Sequence, residues 1–146
     1  MKNIAILILI FCLAISAKAQ ETKSTDYRQF WGKTNEYFEK FLLSNSKWHK
    51  NKTESIGGNS IATSYYATSE PGEPTVMMKF CFDNEKGLFA IVTSYYLGGM
   101  PVGSDFRVPN IQGVPAGNNM WQDKANNVKM RLENTDNGVI QYIDPF

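Results

Sequence analysis

Three segments between Ser60 and Leu97 follow a period of two, and this pattern limits the fold more than any other feature of the chain. A period of two places alternate side chains on opposite faces of a β-strand. The segments are SIATSYYAT, TVMMKFCF and LFAIVTSYYL. They are separated by the turn-forming sequences EPGEP and DNEKG. The sequence therefore predicts a meander of three antiparallel strands.

A second hairpin is predicted near the end of the chain. The segments NVKMRLE and GVIQYID are joined by NTDNG, whose Asn-Gly step suits a tight turn. Apolar and charged residues alternate cleanly in VKMRLE, which indicates one buried and one exposed face. The sequence VMMKFCFDNEKGLF resembles this hairpin, so we expect Met78 and Phe80 to face the core and Cys81 to face outward.

The strands contain a near-repeat, IATSYY at 61–66 and IVTSYY at 91–96. The similarity fades beyond Pro71 and Pro101. The two predicted hairpins are also separated by a different number of residues from the two TSYY sequences. A solenoid would keep one period throughout. We therefore interpret the repeat as two strands of similar composition and not as a catalytic motif. Each TSYY sequence places one tyrosine on each face of its strand.

The segment before the strands predicts a helix. Aromatic and aliphatic residues recur at three- and four-residue steps from Tyr27 to Leu42, as on one face of an amphipathic helix. Asp26 is a suitable N-cap, with Gln29 three residues later. The sequence KWHKNK that follows is interpreted as a solvated connector after the helix.

These elements together predict an α+β fold, in which an N-terminal amphipathic helix packs on a curved antiparallel sheet of about five strands, formed by the meander and the C-terminal hairpin. Between them, residues 98–119 contain five glycines and three prolines, which predicts a long irregular loop. A short edge strand around Phe106 to Val108 is the one regular element expected there.

The first residues are typical of an export signal. Lys2 precedes an apolar run too short to span a bilayer comfortably, and Ala17-Lys18-Ala19 offers small residues at a cleavage site. We therefore predict a signal peptide at 1–19, a single α+β domain at 20–146, and a periplasmic or extracellular location. No later apolar run is long enough to span a membrane.

The charge of the predicted mature chain is close to neutral. Of the 15 Lys and Arg residues, Lys2 and Lys18 lie in the signal segment, which leaves 13 against 14 Asp and Glu. Nucleic-acid-binding domains usually carry a basic excess, so nucleic acid is not an expected partner. Cys81 is the one cysteine left, so no internal disulfide is expected, and a homodimer through Cys81 or an edge strand stays possible.

Few residues in the chain suggest chemistry. His49 is the single histidine, and a nucleophilic pair would require Cys81 to meet it through the fold. One histidine and one cysteine are too few for a zinc site, and no phosphate loop or dinucleotide motif is present. Asp83, Asn84 and Glu85 could offer oxygens to calcium, but a turn explains them more simply. We expect no catalysis, no metal and no cofactor.

The leading hypothesis is a non-catalytic binding module that recognises a protein or glycan partner through an aromatic sheet face and the long Gly/Pro loop. Tyrosine suits such surfaces because its ring is apolar and its hydroxyl forms hydrogen bonds. The candidate binding residues are Tyr95, Tyr96, Phe106, Arg107 and Trp121. The alternative is a small-molecule-binding protein or an enzyme, with a pocket between helix and sheet near Trp31 and Phe38.

Overall fold

A computed structural model describes residues 26–67, 69–98, 100, 106–109 and 111–146. The predicted signal peptide lies outside the described residues, as do residues 20–25. Parts of the predicted long loop, at 99, 101–105 and 110, also lie outside them.

One antiparallel sheet of eight strands makes up most of the described chain. The strands are β1 (Trp48–Gly57), β2 (Ser60–Ala67), β3 (Thr75–Asp83), β4 (Gly87–Tyr96), β5 (Val114–Gly117), β6 (Met120–Asp123), β7 (Val128–Thr135) and β8 (Gly138–Asp144). Their order in the sheet is β1-β2-β3-β4-β8-β7-β6-β5, so two four-stranded meanders meet where β4 pairs with β8. The prediction of an α+β fold with a helix on about five strands is therefore wrong.

The strands with a clear period of two are the ones that the sequence predicts correctly, namely β2, β3, β4, β7 and β8. The missed strand β1 has no such period, because all of its residues except Trp48 and Glu54 are exposed. It lies at the edge of the sheet, where neither face needs to be apolar. The sequence nevertheless contained a signal for this strand, since Gly57-Gly58-Asn59, at the junction of β1 and β2, is typical of a hairpin turn.

The strands β5 and β6 lie where the sequence predicts only loop and turn. Each has four residues, too few to show a period. Pro115 is tolerated in β5 because that strand is the other edge of the sheet, where one row of N–H groups needs no partner. The short strand predicted around Phe106 to Val108 is wrong, since these residues are irregular.

The helix is shorter than predicted. A 3-10 turn, Tyr27–Gln29, capped by Asp26, is followed by α1 (Asn35–Leu43). Between them, the Gly32 N–H donates to the Leu88 carbonyl at 3.0 Å, and the Leu88 N–H donates to the Lys33 carbonyl at 2.8 Å. Gly32 has a φ of 76°, which glycine adopts readily. These bonds to the start of β4 interrupt the helix, which restarts after the N-cap Thr34.

The helix packs on one face of the sheet, which we call the inner face. The ring of Phe38 lies 4.9 Å from that of Phe80 and 5.8 Å from that of Phe82. Phe38 is 1% exposed and Leu42 is fully buried. The space between helix and sheet near Phe38 is thus filled by packed rings. Met78, Phe80 and Met130 are buried on this face, which confirms the orientation predicted from the hairpin patterns.

Candidate functional site

The two TSYY sequences separate four tyrosines between the two faces of the sheet. Tyr65 and Tyr95 lie on the inner face and are 0% and 3% exposed. Tyr66 and Tyr96 lie on the opposite face, which we call the outer face, and are 42% and 41% exposed. Adjacent tyrosines of one strand therefore have different roles, because successive side chains point to opposite sides.

The inner tyrosines belong to the core. The Tyr95 hydroxyl donates to the Gln141 amide oxygen at 3.3 Å, and the ring of Phe106 lies 5.3 Å from that of Tyr95. Burial raises the pKa of Tyr95 well above its usual value. Burial, with a smaller contribution from Glu39, raises the pKa of Tyr65 to about 12. The Tyr65 hydroxyl has no hydrogen-bond partner among the described residues.

The five predicted binding residues do not form one surface. Tyr95 is buried, and Phe106 and Trp121 are partly buried against the same core cluster. Arg107 is exposed in the irregular segment next to Phe106. Tyr96 is the one member that the structure places on the outer face. That these five residues contact a partner stays a prediction.

The outer face carries a row of side chains that crosses five strands. The pairings His49↔Tyr66, Tyr66↔Met77, Met77↔Ser94 and Ser94↔Ile140 place these residues side by side, and Tyr96 lies in the next row. We call this set the outer stripe: His49, Tyr66, Met77, Ser94, Tyr96 and Ile140. All its members are exposed or half-buried.

The outer stripe presents two tyrosine rings at a defined spacing. Tyr66 and Tyr96 are two strands and two residues apart, which corresponds to roughly 12 Å between their Cα atoms at usual strand dimensions. The His49 ring lies 5.2 Å from that of Tyr66, with 31° between the ring planes. The stripe as a whole spans roughly 19 Å across the strands. It is an open aromatic surface, and not a closed pocket.

The charges that border the outer stripe are largely paired with one another. On one side, the Glu54 carboxylate contacts the ammonium groups of Lys52 and Lys79, which lower the pKa of Glu54. On the other side, the Arg131 guanidinium contacts the Glu133 carboxylate at 3.3 Å and lies 3.9 Å from the centre of the Tyr142 ring. Exposed pairs of this kind contribute little to stability but reduce the net charge of the surface.

Small residues form a buried patch beside the stripe. Ala62, Cys81 and Ala90 are neighbours across three strands and are 1%, 8% and 9% exposed. Cys81 thus lies on the outward face, as predicted, but its thiol is largely covered. Burial raises the pKa of the Cys81 thiol, which reduces its reactivity. A disulfide-linked homodimer stays a prediction that this geometry does not favour.

A cleft of about 690 Å³ opens at one end of the sheet. Its lining residues are Tyr96, Leu97, Gly98, Asn134, Thr135, Asp136, Asn137, Gly138 and Val139. They come from the end of β4 and from the β7–β8 hairpin, which are joined by a hydrogen bond from the Leu97 N–H to the Asn137 carbonyl at 3.0 Å. Asn134 pairs with Val139, and Val139 pairs with Tyr95, so these two lining residues belong to the inner face. Among the described residues that line the cleft, Tyr96 is the one member of the outer stripe.

The groups considered for catalysis and metal binding lie apart. Cys81 and His49 are two strands and four residues from each other, roughly 17 Å between Cα atoms, so they form no nucleophilic pair. The Asp83 carboxylate accepts the N–H groups of Glu85 and Lys86 at 2.9 Å each, as in a turn. Across residues 26–146, apart from the undescribed positions, no group of three or more His, Cys, Asp or Glu residues could hold a metal.

The sequence missed most of the outer stripe. Met77 and Ile140 are ordinary strand residues in the sequence, and nothing distinguishes them until the pairing of five strands brings them beside Tyr66. The sequence did indicate that one tyrosine of this strand is exposed, since TSYY places one tyrosine on each face. What the sequence did not reveal was which tyrosine of each TSYY pair lies on the face that the helix covers.

Comparison with protein-family models, curated proteins and solved structures found no match. None of the described helices has the length and apolar character needed to cross a membrane.

Proposed function

We propose that this chain is an exported, non-catalytic binding module that recognises a protein or glycan partner through the outer stripe. The observation that carries the proposal is the exposure of Tyr66 and Tyr96, each above 40%, on the face opposite the helix. Half-exposed tyrosines beside half-buried aliphatic residues are typical of recognition surfaces.

The alternative of a pocket between helix and sheet has less support. Phe38, Phe80 and Phe82 fill the space where that pocket was expected. Trp31, the other residue beside which the pocket was expected, donates its indole N–H to the Asn127 carbonyl at 3.0 Å. Ligand pockets need convergent polar groups around an open volume. The observations around Phe38 describe a packed core instead.

The proposal is tested with a double variant, Tyr66→Ala with Tyr96→Ala, and a matched control, Tyr37→Ala. Tyr37 is 42% exposed, against 42% for Tyr66 and 41% for Tyr96, but lies on the helix that packs on the inner face. The probe is cell-envelope material of the producing organism, separated into protein and polysaccharide fractions and immobilised.

We expect the unmodified protein and the Tyr37 variant to bind one fraction equally. The double variant should bind at least roughly tenfold more weakly, because central tyrosines of an interface contribute over about 1 kcal/mol each. Equal retention of all three proteins would show that the outer stripe is not the binding surface. Retention of none of them would count against a binding module for envelope partners.

A further inference from the structure

The strand β1 gives the sheet one long open edge. Among the residues that the structure describes, β2 is the one strand that pairs with β1, and all residues of β1 except Trp48 and Glu54 are exposed. An edge strand carries a row of backbone N–H and C=O groups that can pair with a further strand. The other edge, β5, has four residues and contains Pro115, which cannot donate to a ladder. A further strand is therefore best added at β1.

The backbone groups of Thr53 point toward this open edge. The Ser64 hydroxyl donates to the Lys52 carbonyl at 3.3 Å, so the Lys52 carbonyl points toward β2. Successive residues of an antiparallel strand alternate between bonding to the neighbouring strand and pointing away from it. Thr53 and Thr63 are accordingly a pair without backbone hydrogen bonds, which lets their hydroxyl oxygens approach to 3.0 Å. The Thr53 N–H and C=O thus face outward from the sheet.

The charges of β1 are complementary to those of a second, antiparallel copy of the same strand. When two copies are centred on Thr53, Lys52 of each lies directly opposite Glu54 of the other. Opposite charges in such cross-strand pairs are stabilising, and like charges are destabilising. The neighbouring registers with the same direction of hydrogen bonds place Lys52 opposite Lys52, or Glu54 opposite Glu54. The charge pattern therefore selects one register.

The lysines and the helix leave room for this pairing. Lysines on an edge strand usually discourage pairing, but Lys50 is bound to Glu39 of the helix at 2.9 Å, and Lys52 is bound to Glu54. Because the helix contacts β1 at Lys50, an antiparallel arrangement places the helices of the two copies at opposite ends of the seam. Neither the charge nor the helix blocks the centre of the strand.

We infer that β1 pairs with β1 of a second copy, antiparallel and centred on Thr53, to form a homodimer with one continuous sheet. Bulges at Asn51 and Ile56 shorten the regular ladder, which then buries less than the roughly 800 Å² per partner of a stable complex. The dimer therefore dissociates on dilution. Since both copies use the same strand, the pairing is closed and does not extend into a fibre. The inference goes beyond the proposed function and does not depend on it.

Sedimentation equilibrium of the purified protein over a range of concentrations tests the inference. The variants are Lys52→Glu, Glu54→Lys and the two combined. Arg131→Glu is the matched control, because Arg131 contacts an acid two residues later, Glu133, as Lys52 contacts Glu54. Unlike Lys52, Arg131 lies on β7, which has a neighbouring strand on each side.

We expect the unmodified protein and the Arg131 variant to dimerise with the same dissociation constant. Each single variant should raise that constant at least roughly tenfold, because it places like charges opposite each other twice in the symmetric ladder. The combined variant exchanges the two signs and should restore dimerisation. The inference would be overturned by a protein that stays monomeric at its highest soluble concentration, by single variants that dimerise normally, or by a combined variant that is not restored.

Disulfide trapping checks the register. Thr53→Cys should give a disulfide-linked dimer on mild oxidation, because the two copies of this residue lie opposite each other, about 5.5 Å apart at Cα. Ser55→Cys is the control, since Ser55 is also exposed but lies opposite Asn51. Stronger trapping through position 55 than through position 53 would overturn the register. The competing occupant of this edge, an extended peptide of another protein, predicts a monomer and no trapping. Circular dichroism establishes that each variant is folded.

Discussion

The two faces of the sheet are built from the same strands but differ in how far their tyrosines are exposed. On the inner face, Tyr65 and Tyr95 are buried among the rings under the helix and the N-terminal turn. On the outer face, Tyr66 and Tyr96 remain about two-fifths exposed. The local sequence is the same in both strands, since all four residues come from TSYY. Position relative to the helix, and not residue type, therefore decides whether a tyrosine stabilises the fold or is available to a partner.

The largest difference between the faces should appear on truncation of a core ring. Phe80 is fully buried, between Phe38 and Tyr65. We expect Phe80→Ala to reduce the free energy of unfolding by about 3–5 kcal/mol, because it removes buried surface and leaves a cavity. Urea unfolding followed by tryptophan fluorescence measures the loss. A loss below about 1 kcal/mol would mean that the inner face is not the core.

Alkaline pH should destabilise the protein through the inner face. Burial raises the pKa of Tyr27 and Tyr95, and that of Tyr65 reaches about 12, above an unfolded value near 10. Each buried phenol contributes stability that is fully present below pH 10 and is lost as the pH rises toward the folded pKa. The loss is about 1.4 kcal/mol per pH unit for each phenol, since the unfolded chain ionises first.

Ultraviolet absorbance of tyrosinate, recorded together with circular dichroism, checks this dependence. We expect one group of phenols to ionise only with the loss of secondary structure. Replacement of Tyr65 by phenylalanine should reduce the slope of stability against pH above 10. Ionisation of every tyrosine before any unfolding would contradict the burial of the inner tyrosines.

The two inner tyrosines should respond in opposite directions to loss of their hydroxyls. Tyr95→Phe removes a buried hydrogen bond to Gln141 and should reduce stability by about 1 kcal/mol. The Tyr65 hydroxyl is buried without a partner among the described residues, so Tyr65→Phe should leave stability unchanged or raise it by up to about 1 kcal/mol. Thermal unfolding of the pair at neutral pH measures both. A clear loss in the Tyr65 variant would reveal a partner for that hydroxyl.

The smallest effect on stability is expected on the outer face. Tyr66→Ala and Tyr96→Ala should each change the free energy of unfolding by less than about 0.5 kcal/mol, since neither ring is part of the core cluster. The same variants are expected to lose binding, so stability and recognition would be separated between the faces. A loss above about 2 kcal/mol for either would show that the ring supports the fold.

How far the sequence predicted this structure depended on the period of each segment. β2, β3, β4, β7 and β8 were predicted because one face of each is buried and the alternation records it. β1 was missed because it is an edge strand whose polar residues are exposed on both faces. Of the predicted binding residues, Tyr96 alone was placed on the outer stripe, whereas Met77 and Ile140 join it only through the pairing of five strands.

By itself, the sequence determined the antiparallel strands, their turns, and the separation of Met78 from Lys79 or Tyr65 from Tyr66 between two faces. These features are local, since the alternation of side chains needs no distant partner. The tertiary structure alone decided where the helix begins, which short segments complete the sheet, and which tyrosine of each TSYY pair stays exposed. Those outcomes depend on backbone hydrogen bonds between distant residues, such as Gly32 with Leu88, which no local pattern records.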